Sequence, residues 1–312
     1  MDLKNKTRPY RTVHDEYAEK FHRKVFKIAL NGDFTCPNRD GTLGVGGCIF
    51  CSDSGSGEFG GNKTKSLKDQ FEEVLTMMSK KWSDGAYIAY FQANSNTYAP
   101  VERLRELFEE ALSLSKDIIG LSIATRPDCL PQETVDYLGE LNHRTFLTVE
   151  LGLQTIHDET AKLIHRGHDL SIFVDAVKRL REKRIDVVVH IINSLPHESK
   201  DQMIETIKFL NQLDIQGIKI HMLYILKDTP MARYYEQEVF HLMTLPEYVD
   251  VTVEQLRHLR EDIVVHRLTG DAPRDELIAP LWSLKKFVVT NEIDKLMRSL
   301  GAYQGEYHDL HR

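Results

Sequence analysis

Three of the four cysteines in this 312-residue chain fall within one short segment, CPNRDGTLGVGGCIFC, residues 36–51. Cys36, Cys48 and Cys51 are spaced C-x11-C-x2-C. Three thiolates suit three irons of a [4Fe–4S] cluster and leave the fourth iron open to a chelating ligand. Gly44, Gly46 and Gly47 let the loop turn tightly, so that backbone N–H groups can approach a negatively charged cluster. Phe50 is placed to shield one face of such a cluster and keep it dry. Two other readings compete. A Cys-x-x-Cys pair can serve as a thioredoxin-like dithiol, but that motif begins a helix and needs no third cysteine. Zinc would take the three thiolates with a histidine such as His22, yet no CxxH or HxxxH partner lies nearby. The spacing favours the cluster and leaves zinc open.

The fourth cysteine, Cys129, stands alone. It reads either as a small apolar filler at a strand end or as a catalytic hydrogen donor facing the reaction centre. A second cluster would want about four more cysteines, so no auxiliary centre is expected. Four cysteines also make no disulfide framework. Hydrophobic residues at 41% and charged residues at 28% describe a soluble globular protein. Apolar runs such as 185–192 are broken by Asp186 and His190 and are too short to span a bilayer. The N-terminus is polar and carries no signal-peptide pattern, so a cytoplasmic location without a membrane partner is expected. A net charge of −7 argues against nonspecific coating of nucleic acid. Residues 1–27 carry eight Lys/Arg (Lys4, Lys6, Arg8, Arg11, Lys20, Arg23, Lys24, Lys27) against four acids. This weak basic patch reads first as a solvated charged segment.

Six short β-branched or aromatic runs alternate with amphipathic stretches and must position these residues. The runs are 25–30, 86–91, 118–124, 145–151, 185–192 and 217–223. Helical spacing is expected over 66–81, 100–116, 131–141, from about 157, 171–183 and 200–213. Two further helices, 246–268 and 279–300, would pack on or cap the sheet. The alternation predicts a parallel α/β sheet with right-handed crossovers. It is either doubly wound or an incomplete TIM-like barrel, and pattern alone does not choose. In both, functional residues gather where strands end. Polar residues do fall there: Gln92, Asn94, Ser95, Asn96 and Thr97 after the second run, and Thr125 to Asp128 after the third. Glu150, Gln154 and Thr155 close the fourth; Asn193, Pro196, His197 and Glu198 follow the fifth; His221 and Tyr224 end the sixth.

At these motifs the chain resembles the radical SAM superfamily, in particular its YhcC/YtqA-like subfamily, which is related to the radical SAM domain of the Elongator catalytic subunit. The resemblance rests on the widened cysteine loop and on FQANSNTYAP (91–100), ATRPDCLP (124–131), VELGLQT (149–155), IHRGHD (164–169), HIINSLPHES (190–199), KIHMLYILKDTP (219–230) and APLWSLKKF (279–287). It covers nearly the whole chain and departs from the superfamily's commoner C-x3-C-x2-C spacing.

The resemblance implies a partial (βα)6 TIM-like barrel over 25–230, with an N-terminal extension over 1–24 and a C-terminal helical substrate or capping region over 231–312. It implies an enzyme that uses a [4Fe–4S] cluster, held by Cys36, Cys48 and Cys51, to cleave S-adenosylmethionine reductively and abstract a substrate hydrogen. An external one-electron reductant of the flavodoxin or ferredoxin type would supply the electron. Gln92, Asn94 and Asn96 would lie near the methionine amino group, Glu150 and Gln154 near the ribose or methionine, and Asn193 and Pro196 near the adenine. The relatives further imply a tRNA anticodon as partner, with conversion of 5-carboxymethylaminomethyluridine to the aminomethyl form. A small metabolite or a protein as substrate, or a non-catalytic iron–sulfur or zinc sensor, remain the alternatives. Trp282, Lys285 and Lys286 are the residues expected to meet phosphate and a splayed base. Arg126, His165, Arg166 and His168 read either as anion partners or as a solvated helix end.

Overall fold

Each of the six runs forms a strand: β1 (Val25–Leu30), β2 (Ala86–Phe91), β3 (Ile118–Thr125), β4 (Phe146–Gln154), β5 (Asp186–Asn193) and β6 (Gly217–Met222). The structure is a computed structural model that describes residues 8–55, 57, 59–79, 85–237 and 240–309. Helix α1 (Val13–Phe21) precedes β1, and α2 (Leu67–Ser79), α3 (Val101–Ser113), α4 (Gln132–Asn142), α5 (Asp158–Leu163), α6 (Leu170–Glu182) and α7 (Lys200–Leu210) cross between strands. Side chains alternate along the strands. One face carries Leu30, Phe91, Leu121, Val149, Leu151, Val189 and Ile220, all part of the main apolar core. Full burial of each such side chain contributes about 1.5–3 kcal/mol. The other face carries Lys27, Tyr90, Ser122, Glu150, His190 and Lys219, which meet one another inside the curve of the sheet.

The strands neighbour one another in chain order, β1 to β6, and every pairing is parallel. A doubly wound sheet reverses its order at a central strand, whereas a barrel segment does not. The sheet is therefore a curled half-barrel.

After β6 the chain forms β7 (Ile225–Leu226), α8 (Pro230–Glu236), α9 (Leu245–His258), β8 (Val264–Arg267), β9 (Leu277–Ala279), α10 (Lys286–Leu300) and α11 (Glu306–Asp309). Two expectations change here. The helix expected over 246–268 ends at His258, and the chain returns as β8, a seventh parallel strand beside β6. Leu259 and Ile263 prolong the apolar pattern of α9, which hides the boundary, while Val264 and Val265 supply the β-branched pair that extends the sheet. The helix expected from 279 starts at Lys286. Ala279 pairs with Ile225 in the β7–β9 ribbon, and Leu281–Leu284 form a 3-10 turn after Pro280, whose ring removes a backbone donor.

Helix α1 closes the N-terminal end of the half-barrel. Its Tyr17 packs edge-on against Phe146 at the start of β4 (5.8 Å) and His266 of β8 (6.2 Å). Among the described residues, five cations of the basic N-terminal segment face carboxylates. Arg8 faces Asp294, Arg11 pairs with Glu16, Lys20 faces Asp186, Arg23 pairs with Asp117, and Lys27 points into the sheet's inner network. Lys4 and Lys6 lie outside the described residues.

Candidate active site

The C-terminal ends of the strands surround an open cavity whose empty space, counted out through its mouth into solvent, is about 1380 Å³. Its cysteine wall is the β1–α2 connection. Backbone bonds from Arg39 to Cys36 (2.8 Å) and Cys51 to Cys48 (2.9 Å) close two turns, with Gly46 and Gly47 between them at φ +86°. Gly44 is fixed by crowding instead, since a Cβ there would meet Asn38 Oδ1 at 2.6 Å. The Cys48–Cys51 pair sits in a turn, not at a helix start, which removes the thioredoxin-like reading.

The turn after α5 holds this loop in place. Ile49 N–H donates to Ile164 O (3.1 Å), and Asn38 Nδ2 donates to His165 O (2.6 Å) while approaching Cys48 Sγ (3.7 Å). Arg166 is 1% exposed and gives its guanidinium N–H groups to the carbonyls of Leu153, Thr155 and His168. Arg126 forks onto Asp128 (2.9 and 2.8 Å) and donates to Arg166 O (2.7 Å). Within IHRGHD, Arg166 and His168 are thus a buried clamp rather than a solvated helix end, while His165 is exposed.

Cys36, Cys48 and Cys51 all line the cavity, as does Phe50. Burial, then the neighbouring Cys51, pushes the Cys48 thiol up to about 12, with Arg126 opposing. The Cys48 thiol so placed stays protonated until a metal displaces its proton, as expected of a metal-thiolate donor. Among the described residues no three His, Cys, Asp or Glu side chains gather closely enough to hold a single metal ion. His22 caps α1 beside the start of β1, at the other end of that strand from the cysteine loop. Three cysteine thiols on one cavity wall suit a metal–sulfur group that takes three thiolates.

Of the other expected site residues, Gln92, Asn94, Glu150 and Gln154 line the cavity. Asn94 (φ +60°) receives the cysteine loop: its N–H donates to Gly55 O (2.8 Å) and its Nδ2 to Phe34 O (3.0 Å). Gln154 (φ +63°) follows a register shift in β4, and both irregularities turn it into the mouth. Asn96, Asn193, Pro196 and Cys129 are not part of the lining. Asn96 is buried and donates to Phe91 O and Ala124 O, joining the ends of β2 and β3. Asn193 exchanges two amide hydrogen bonds with Gln255 of α9 (2.7 and 2.9 Å). Pro196 is buried in the turn after β5. Cys129, 4% exposed in the Pro127–Cys129 turn, has its thiol pushed up to about 12, chiefly by burial. Trp282 packs on Tyr248 (5.4 Å) and donates to Met243 O (3.2 Å), while Lys286 pairs with Asp271. The exposed aromatic there is Phe287, at 83%.

Around the expected Glu150 the cavity also holds residues that sequence reasoning missed, namely Tyr90, His190, Lys219, Arg267 and Asp271. Glu150 is buried and accepts from Lys27 (2.6 Å), Ser122 (2.8 Å), Tyr90 (2.9 Å), His190 (2.7 Å) and Lys219. The charges of Lys219 and Lys27, with the His190 hydrogen bond, overcome burial and hold its carboxyl well below the usual range. Arg267 and Asp271, from β8 and its exit, pair at 3.1 Å on the same lining. The available signal was a basic residue or histidine within each apolar run: Lys27 in VFKIAL, His190 in DVVVHIIN, Lys219 and His221 in GIKIHM, and His266 and Arg267 in VVHR.

Comparison with known proteins decides the family. A Radical SAM superfamily profile matches residues 36–210, and a Radical_SAM C-terminal domain profile matches residues 215–299. The chain belongs to the radical SAM superfamily. It is 51% identical over 303 residues to YtqA of Bacillus subtilis, an uncharacterized protein, covering 97% of this chain and 94% of that one. It is 33% identical to YhcC of Escherichia coli, covering 92% of both. Similarity to a tRNA uridine(34) acetyltransferase of Methanocaldococcus infernus is 23% over 180 residues, 52% of this chain and 33% of the other. The structure of the archaeal Elp3 of the same organism superposes with a TM-score of 0.65 over 90% of this chain and 64% of that chain, at 17% identity, which shows a shared fold. Radical SAM enzymes work with a [4Fe–4S] cluster and S-adenosylmethionine, and this chain is an enzyme of that superfamily.

Proposed function

We propose that the chain modifies the wobble uridine of tRNA, converting the 5-carboxymethylaminomethyl group to the 5-aminomethyl group. Cys36, Cys48 and Cys51 hold the cluster, and Gln92, Asn94 and Gln154 line the space for S-adenosylmethionine. When bound, the two cofactors would supply the chemistry that takes a hydrogen atom from the carboxymethyl methylene. Overall the N–CH2 unit is oxidised by two electrons to an imine, with S-adenosylmethionine as acceptor. Water then cleaves the imine after release, so the arm leaves as glyoxylate and the aminomethyl group remains. The chain's own residues do the rest. The Arg166–Arg126–Asn38 clamp fixes the cysteine loop, the half-barrel walls keep water from the reacting centre, and the mouth orients the target C–H.

The observation that carries this reading is the similarity to a tRNA uridine(34) acetyltransferase, which is confined to about half of this chain. The other enzyme is about three times longer than the matched segment, so its acetyl transfer is not carried over. The exposed Phe287 beside Lys285, on the helix whose Lys286 reaches the cavity residue Asp271, supports an RNA partner that stacks a base near the mouth. Nucleoside analysis of tRNA from a deletion strain and its parent tests the proposal. The expected result is loss of aminomethyl-type wobble uridines with accumulation of the carboxymethylaminomethyl form. An unchanged wobble-uridine profile overturns it.

A further inference from the structure

The inner face of the half-barrel holds more cations than its carboxylates neutralise, and the excess lies on β6 and β8. Lys219 is the backbone partner of His190 on one side and of Arg267 on the other, so the three share one level of the sheet. His221 stands two residues beyond Lys219 on the same strand face, and all four line the cavity.

Carboxylates on this side are already engaged. Glu150 serves five donors, and Asp271 is held by Arg267 and Lys286. Donors are left over. An ammonium has three N–H groups, and those of Lys219 with a partner go to Tyr90 OH (3.1 Å) and Glu150. The ion pair with Asp271 engages only part of the five-donor guanidinium of Arg267, which also lines the cavity. His221 Nε2 is buried with no hydrogen-bond partner among the described residues. Burial, together with Lys27 and Arg267, lowers the Lys219 ammonium to about 7 although Glu150 supports it. An anion at this point would satisfy the open donors and offset the repulsion among the cations.

We propose that Lys219, His221 and Arg267 form a pocket for a carboxylate of the substrate. The proposal rests on the wobble-uridine reading, in which the modified base carries one carboxylate on its carboxymethyl arm. Holding that carboxylate on β6 and β8, on a different wall of the cavity from the cysteine loop, would set the adjacent methylene in the space between them. The pocket would also reject an arm that lacks the charge. The methionine part of S-adenosylmethionine brings a second carboxylate into the same cavity, so the test must separate the two sources.

Equilibrium binding of anticodon stem-loop RNA to the full chain does so. Three RNAs are compared: one with 5-carboxymethylaminomethyluridine at the wobble position, one with the corresponding carboxamide, and one unmodified. The wild-type chain is expected to bind the carboxylate RNA at least ~10-fold more tightly than the carboxamide RNA, as for loss of a charged hydrogen-bonded partner. Arg267→Gln and Lys219→Met are each expected to reduce that ratio to below ~3-fold. Arg267 has a side chain 35% exposed at the sheet edge, so its variant carries the test if Lys219→Met fails to fold. Equal binding of the two modified RNAs by the wild type overturns the pocket while leaving the RNA reading intact. Absence of binding to any of the RNAs overturns the wobble-uridine reading itself. Loss of S-adenosylmethionine affinity in both variants, with RNA discrimination retained, assigns the donors to the cofactor and likewise overturns the proposal.

Discussion

His190 gives Glu150 a hydrogen bond of 2.7 Å at the centre of the half-barrel, and both residues titrate far from their usual ranges. Burial, then the charge of Lys219, lowers His190 from 6.5 to about 4. Between those values the unfolded chain takes up a proton that the folded chain refuses, so stability falls as pH drops from 6.5 towards 4. Glu150, held below its ordinary value, acts in the same direction at lower pH, because unfolding must then protonate it. We expect the urea midpoint to decline steadily from pH 7 to pH 4.5. His190→Gln should remove about 2–3 kcal/mol of that dependence. A wild-type midpoint that stays flat over this range would contradict the buried network. The basic residues around Glu150 were hard to read from sequence, because a lysine or histidine in an apolar strand looks like an edge or a strand end. Only the register that aligns His190, Lys219 and Arg267 shows them as one layer.

The elements were more legible than the residues they carry. Six strands were visible because a parallel sheet covered by helices needs continuous apolar runs, and runs such as Ile118–Thr125 have few other uses. The seventh, Val264–Arg267, was hidden for the reason that lets it pack: Leu259 and Ile263 continue the apolar spacing of α9 into the turn. The strand-end polar residues divide by role in a way spacing does not predict. Asn94 and Gln154 enter the mouth because left-handed backbone turns them there, whereas Asn193 is turned onto α9. Removing Asn193 leaves the buried Gln255 amide with only the Met203 carbonyl as partner. Asn193→Ala should therefore cost about 1–3 kcal/mol in chemical denaturation. A double-mutant cycle with Gln255→Ala should show strong coupling, and additive losses would show that the amide pair does not join β5 to α9.

At the scale of the whole molecule, the half-barrel gathers loops distant in sequence into one mouth: the cysteine loop after β1, Asn94 after β2, the Arg126 and Arg166 clamp, and the cationic layer on β6 and β8. The cysteine spacing announced a metal-thiolate site, and the family motifs announced the barrel. The clamp was named in the sequence but not understood, since four hydrogen bonds from one buried arginine to backbone carbonyls leave no spacing signature. No helix among the described residues is long and apolar enough to cross a membrane. The central claim is that Cys36, Cys48 and Cys51 hold a cluster that cleaves S-adenosylmethionine. The most direct measurement is anaerobic purification followed by metal analysis and an assay for 5′-deoxyadenosine on addition of S-adenosylmethionine and a strong reductant. A brown protein with iron and sulfide in equal amounts, forming 5′-deoxyadenosine and losing both properties in Cys36→Ala, Cys48→Ala or Cys51→Ala, is the predicted result. A colourless, zinc-loaded protein that never yields 5′-deoxyadenosine would contradict it.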